Sequence, residues 1–125
     1  MRVVADQRGT PTWARSLANM LWSLADDASI GGILHWVDGG TATWYDLAVA
    51  IQAEALALGF ISTEVPIDPV SSLDLALPAS RPKYSVLDAS GTRARLGLAQ
   101  TPWRENLRAM MQELDVPAAL ELRNS

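Results

Sequence analysis

The chain contains two successive units in which a short apolar run leads through a glycine turn into a helical pattern. The first unit starts at residues 3–5 and turns at Gly9, and the second starts at residues 33–37 and turns at Gly39 and Gly40. Short apolar runs bounded by turn residues are typical of buried strands. Strands that alternate with helices over these distances predict a small α/β domain with few strands.

The helical patterns predict caps as well as inner faces. We expect Thr10 or Thr12 to cap the first helix, because a hydroxyl there accepts a hydrogen bond from an unpaired backbone N–H. Thr43 with Asp46 three residues later predicts a capping box for the second helix, and Gly59 predicts its end. The expected inner faces are Leu17, Met20, Leu21 and Leu24 in the first helix, and Leu47, Ala48, Ile51, Ala55 and Leu58 in the second.

Shorter elements are predicted further along the chain. Residues 65–67 include a proline, which cannot donate within a ladder, so we expect an edge strand there. The polar residues 68–82 predict a surface loop, and residues 84–87 are expected to be extended. A short helix then begins at Asp88 or Ser90.

Glycine and proline mark the last helices. Gly97 is expected to end the short helix, and Thr101 followed by Pro102 predicts the cap and first residue of the final one. The expected inner stripe of that helix is Trp103, Leu107, Met110, Met111 and Leu114. The domain is expected to span residues 1–116, with residues 117–125 as a frayed tail.

Composition and charge restrict the classes of function. The chain has 125 residues, 49% of them hydrophobic, which suits one compact domain with a core. The net charge of −4 and the scattered Lys and Arg residues do not favour a nucleic-acid partner. No apolar run reaches the roughly 20 residues that cross a bilayer. We expect a cytoplasmic protein with no membrane partner.

Metal and thiol chemistry have few candidates. The sequence has no cysteine, which excludes disulfides and zinc–thiolate sites. Its single histidine, His35, has no metal-ligating partner at a suitable spacing. We therefore predict that His35 lies in the core or on a strand edge, and that the chain has no metal site.

Two motifs carry a resemblance to one enzyme family. Residues 6–12 contain a Gln-Xaa-Gly-Xaa-Pro-Thr turn, and residues 81–88 read Arg-Pro-Lys-Tyr-Ser-Val-Leu-Asp. In this order they resemble the C-terminal substrate-binding part of dTDP-4-dehydrorhamnose reductase, an extended short-chain dehydrogenase/reductase. The turn at residues 36–40 and the Thr-Trp-Tyr-Asp sequence at 43–46 are also similar to that family. The resemblance implies a substrate-binding α/β domain without the Rossmann domain.

The resemblance implies a ligand site at the two motifs. Arg81 is the first candidate, because its guanidinium can bind phosphate oxygens in a bidentate manner and the family's arginine at this place reaches the ligand's diphosphate. Gln7 can donate and accept, which suits sugar hydroxyls, and Asp6 and Thr12 complete the candidate set. The N-terminus of the following helix would favour an anionic ligand. Two structural interpretations stay open, namely a solvated loop for Arg81 and a purely connecting role for the turn.

The tryptophans are interpreted mainly as core residues. We expect Trp44, in the Thr-Trp-Tyr-Asp sequence, to be a buried aromatic and not a ligand contact. The five tryptophans are Trp13, Trp22, Trp36, Trp44 and Trp103. One or two of them are expected on a face that meets another domain, because aromatic residues are enriched at interfaces.

The sequence lacks the cofactor and catalytic signatures that the family carries. No two glycines are three residues apart, which excludes the Gly-Xaa-Xaa-Gly-Xaa-Xaa-Gly turn. Tyr45 is followed four residues later by Val49, and Tyr84 by Asp88, so the Tyr-Xaa-Xaa-Xaa-Lys pair is also missing. We predict no catalytic residue and no cofactor in this chain. In the complete family enzyme, NAD(P)H would be bound by a separate dinucleotide-binding domain.

Three interpretations of function stay open. The chain is a fragment that holds a dTDP-sugar for dTDP-L-rhamnose biosynthesis, a stand-alone binding or regulatory module, or a truncated gene product without activity. Fold and motifs do not separate them. We expect a homodimer formed through the surface beside the two motifs, because an apolar face left by a missing domain tends to find a partner.

Overall fold

The computed structural model describes residues 1–75 and 79–114. In this part of the chain the elements are β1 Arg2–Val4, β2 Arg8–Gly9, α1 Ala14–Ala25, β3 Ala42–Thr43, α2 Trp44–Ala57, β4 Asp68–Val70, α3 Ser90–Leu96 and α4 Trp103–Gln112. Four helices and four short strands form a small α/β domain, which confirms the predicted fold class. The predicted tail at residues 117–125 lies outside the described residues.

The strands form two small sheets. β1 and β4 are parallel with Val4 opposite Val70, and β2 and β3 are antiparallel with Arg8 opposite Thr43. Parallel neighbours need a long crossover, and here the crossover contains α1 and α2. Along the chain, both helices therefore lie between β1 and β4, which are neighbours in one sheet.

The predicted edge strand at residues 65–67 was wrong in position. The strand begins at Asp68, whose backbone N–H donates to the carbonyl of Met1 at 2.8 Å. The amino group of Met1 also donates to the carbonyl of Pro66. Long-range pairing with β1 thus sets the register, and local proline chemistry could not reveal it.

The predicted strand at residues 33–37 was also wrong. These residues belong to neither sheet of the described chain, and the backbone N–H of His35 donates instead to the hydroxyl of Thr92 at 3.2 Å. A strand needs a neighbour for its backbone groups, and no described strand pairs with this segment. His35 is exposed, as is Ile33 at 89%, so the expected core or strand-edge position of His35 was wrong.

The core lies between α2 and α4. Its buried members are Ala42, Ala50, Ala55, Trp103, Leu107 and Met111. Small alanines on one side allow the large side chains of α4 to approach closely. The guanidinium of Arg108 donates to both oxygens of Glu54 at the rim of this contact, at 2.9 and 3.1 Å. The pairing of the two helices confirms the predicted inner stripe of α4 with one exception, since Leu114 follows the helix and is exposed. On the predicted inner face of α2, Ile51 is exposed too.

Two of the four residues on the predicted inner face of α1 are exposed to solvent. Only Met20 of this helix is buried, whereas Leu17, Leu21 and Trp22 are exposed. The helix itself was therefore predicted correctly, but the burial of its apolar side was not. Among the described residues, no helix as long and apolar as a bilayer crossing requires is present.

The cap at the start of α2 and the glycines that end α2 and α3 were predicted correctly. Thr43 and Asp46 form the capping box of α2, with hydrogen bonds of 2.8 and 3.0 Å. Gly59 and Gly97 follow α2 and α3 with φ of 74° and 62°, which only glycine adopts readily. The predicted Thr101 cap was wrong, because α4 begins after Pro102 and no side chain caps it.

Candidate functional site

A pocket of about 420 Å³ opens beside β2, β3 and the start of α2. Its lining residues are Gln7, Arg8, Gly9, Thr10, Pro11, Val37, Ala42, Thr43, Trp44, Leu47, Arg81, Pro82, Ser85 and Leu87. This volume lies within the roughly 300–1,000 Å³ of small-molecule sites. Of the predicted site residues, Gln7 and Arg81 line the pocket, whereas Asp6 and Thr12 do not.

Backbone pairing at Arg8 brings the two sequence motifs together. Its N–H donates to the carbonyl of Lys83 at 2.8 Å, and its carbonyl accepts from the N–H of Ser85 at 2.9 Å. A Cβ added at Gly9 would lie 3.1 Å from the Ser85 hydroxyl oxygen, so glycine permits this close approach. The predicted extended segment at residues 84–87 is present only as this single bridge, at Tyr84.

Asp6 and Gln7 are joined through Ser72. The Ser72 hydroxyl donates to the Asp6 carboxylate at 2.6 Å and accepts from Nε2 of Gln7 at 2.8 Å. The hydrogen bond from the Ser72 hydroxyl, with a smaller contribution from the Ser72 backbone N–H, holds the pKa of Asp6 below its ordinary value, because both stabilise the ionised form. Asp6 therefore secures the turn, and Gln7 keeps its amide oxygen available. Ser72 was missed because no local pattern links it to a turn 65 residues away.

The N-terminus of α1 is occupied by a carboxylate of the protein itself. The N–H of Trp13 donates to Oδ2 of Asp38 at 3.0 Å, and Asp38 is only 2% exposed. The predicted Thr10 or Thr12 cap was wrong, because Trp13 is the N-cap residue and Thr12 donates to the carbonyl of Thr10 at 3.2 Å. The negative charge of Asp38 makes this helix end unsuitable for an anionic ligand.

Trp44 was predicted to be buried, and this was wrong. Trp44 lines the pocket and is 60% exposed. Trp44 is the first residue of α2, and the capping box at Thr43 sets its position relative to β3. The expectation of mostly interior tryptophans holds for Trp103, which is buried, while Trp22 at 73% is also exposed.

The pocket is positively charged in a chain whose net charge is negative. Arg8 and Arg81 are its charged lining residues, and no Asp or Glu lines it. The ion pairs formed among residues 1–75 and 79–114 are Arg15–Glu113 and Arg108–Glu54. Neither pocket arginine is therefore neutralised by a described carboxylate in direct contact. This arrangement suits an anionic ligand.

The two helix starts that follow glycine turns in the described chain do not fit the pyrophosphate of a dinucleotide cofactor. Such a cofactor places its pyrophosphate against free N–H groups at a helix N-terminus. Both helices that follow a glycine turn begin instead beside carboxylates, Asp38 at α1 and Asp46 at α2. No group of three or more metal-ligating side chains occurs in the described chain.

The fold and the pocket define a small α/β domain with a cationic pocket. Residues 1–116 match the family described as the RmlD substrate binding domain, and the chain belongs to this family. The chain is 38% identical over 113 residues to a probable dTDP-4,6-dihydroxy-2-methyloxan-3-one 4-ketoreductase of Streptomyces antibioticus, covering 90% of this chain and 36% of that protein.

Solved structures of dTDP-4-dehydrorhamnose reductases have the same fold. The structure from Clostridium acetobutylicum matches with a TM-score of 0.78 and 33% identity, over 93% of this chain and 39% of that one. The structure from Bacillus anthracis, in complex with NADP, matches with a TM-score of 0.76 and 30% identity, over 91% and 38%. The chain thus spans 36% to 39% of the length of these relatives.

Proposed function

We propose that this chain binds a dTDP-sugar, as the substrate-binding part of a dTDP-4-dehydrorhamnose reductase-like protein. The observation that carries the proposal is the cationic pocket at the Gln7 turn and Arg81. The family to which the chain belongs supports the same ligand class. The proposed ligand site is the pocket, with Arg81 as its main charged residue.

Each lining group has chemistry that suits part of such a ligand. The guanidinium of Arg81 matches the oxygens of a diphosphate. The amide oxygen of Gln7 can accept from a sugar hydroxyl, while its NH2 group is held by Ser72. The exposed ring of Trp44 offers a flat surface for a base or a sugar face. Asp6 and Thr12 were also predicted to bind the substrate, but they are not among the residues that line the pocket.

We propose that residues outside this chain carry out the chemical step. Reduction of a keto-sugar needs a hydride donor and a proton donor, and the sequence has neither the glycine-rich turn nor the Tyr-Xaa-Xaa-Xaa-Lys pair. A dinucleotide-binding domain carrying NAD(P)H would supply them. The proposed setting is the cytoplasm, and the proposed assembly is a homodimer formed beside the pocket.

Calorimetry with dTDP tests the site. Losing a charged hydrogen bond costs about 1.5–3 kcal/mol, which corresponds to roughly tenfold or more in affinity. Arg81→Ala should weaken dTDP binding by that factor, while Arg95→Ala, outside the pocket, should not. Equal affinities of the Arg81 variant and the wild type would remove Arg81 from the site.

A reductase assay tests the absence of chemistry. The purified chain should transfer no hydride from NADH or NADPH to a dTDP-4-keto-sugar. Turnover by a preparation shown to be free of host reductase would contradict the proposal.

A further inference from the structure

Arg8 is a lining residue of the pocket. Its place in a sequence turn did not indicate this role. Its backbone pairs on one side with Thr43 of β3 and on the other with the segment around Tyr84. The base of its side chain is therefore held between the two walls of the pocket. Its guanidinium donates to the hydroxyl of Thr41 at 3.0 Å, and Arg8 and Arg81 are both residues that line this pocket.

Arg8 forms no ion pair with a described carboxylate. Its hydrogen-bond partner Thr41 is neutral. The nearby Asp46 is engaged in the capping box, where hydrogen bonds from Thr43 hold its pKa low, with a smaller contribution from Arg8. A guanidinium that makes one neutral hydrogen bond has further N–H donors available for a ligand.

Two such groups at one pocket favour an anion with more than one phosphate. One guanidinium can satisfy a single phosphate by a bidentate contact, whereas two separate guanidinium groups match the charge and oxygen count of a diphosphate. We propose that Arg8 is a second phosphate-binding residue, which with Arg81 makes the pocket select a nucleoside diphosphate over a monophosphate. This proposal rests on the proposed function and names the residue that gives it selectivity.

Titration with dTDP, dTMP and inorganic pyrophosphate tests the proposal. Wild type should bind dTDP more tightly than dTMP. Arg8→Gln should weaken dTDP binding by about tenfold, from the loss of a charged hydrogen bond, and should change dTMP binding by less than about threefold. Arg8→Lys, which keeps the charge but loses the planar fork, should lie between wild type and Arg8→Gln. The salt dependence of dTDP binding should fall in Arg8→Gln.

Two controls separate a binding effect from a folding effect. Thr41→Val removes the hydrogen bond to Arg8 and keeps the cation, so it should change dTDP affinity less than Arg8→Gln. Thermal unfolding should give similar midpoints for all these variants, because Arg8 is exposed and its backbone pairing is kept.

The outcomes distinguish this inference from the proposed function. If Arg81→Gln weakens dTDP binding and Arg8→Gln does not, or if Arg8→Gln weakens dTDP and dTMP equally, the role of Arg8 is wrong and the proposed function stands. If wild type binds pyrophosphate but not dTDP, and both arginine variants lose pyrophosphate, the two-arginine site stands and the nucleotide function is wrong. If wild type binds neither dTDP nor pyrophosphate, both are wrong.

Discussion

Helices α1 and α2 have similar lengths and both present an apolar side, but only α2 has that side covered. α2 packs against α4, and Ala50 and Ala55 are buried in the shared core. In α1 only Met20 is buried, while Leu21 is 51% and Trp22 73% exposed. An apolar stripe thus identifies the side that a helix can bury, and a packed neighbour is needed to bury it. Variants in the two helical regions test this difference.

The largest expected effect is on the free energy of unfolding, for a buried residue of the α2–α4 core. Trp103→Ala should lower the free energy of unfolding by about 3–5 kcal/mol, because it empties the centre of the α2–α4 core. Trp22→Ala should change it by no more than about 0.5 kcal/mol, since its side chain is exposed. Urea unfolding measures both. Similar losses in the two variants would show that the α1 face is covered in solution.

A second prediction concerns the residue that joins α1 to the rest of the domain. Asp38→Ala leaves the N–H of Trp13 without its acceptor and should cost about 1–3 kcal/mol. Asp26→Ala, at the exposed other end of the same helix, is the matched control and should have little effect. If Asp38→Ala is as stable as the control, the carboxylate does not secure the start of α1.

The capping box at α2 should contribute less. Thr43→Ala should lower the free energy of unfolding by about 1 kcal/mol at neutral pH. Hydrogen bonds from Thr43 lower the pKa of Asp46 from its ordinary value of 3.8. A lowered pKa stabilises the fold above the ordinary value, and that stabilisation is lost as the pH falls through the folded-state value.

The direction of the pH dependence of stability follows from the lowered pKa of Asp46. The stability difference between wild type and Asp46→Asn, which removes the titrating carboxylate, should be full above pH 3.8 and should shrink as the pH is lowered below it. Unfolding curves across this range measure it. A difference that grows on acidification would exclude the capping interaction as its cause.

The smallest effect on stability is expected for substitutions that test assembly. Trp44→Gln and Trp22→Gln both replace an exposed ring, one beside the pocket and one on α1. If the proposed dimer forms beside the pocket, sedimentation should show weaker association for Trp44→Gln only. Weaker association for Trp22→Gln alone would move the interface to the uncovered face of α1, and a strict monomer would exclude the dimer.

Much of the fold and part of the site follow from local sequence. The glycine after α3, the capping box at Thr43 and the stripe of α4 depend on residues within a few positions of one another, and all three were predicted. The Gln7 turn and Arg81 were identified as a pair from their motifs, and both line the pocket. The position of β4 and the role of Ser72 were not predicted, because each depends on pairing across more than 60 residues.

The sequence by itself determined the family, the α/β class and two of the segments that line the pocket, since each of these is encoded by short motifs in order. Tertiary structure decided which apolar residues are buried and which charges are available to a ligand. Trp44 and Trp103 are the same residue type, yet one faces the pocket and the other fills the core. Arg8 is a candidate ligand residue because the tertiary structure places β2 between β3 and the Tyr84 segment. Burial and charge neutralisation depend on neighbours that are distant in sequence, and for that reason no local pattern reports them.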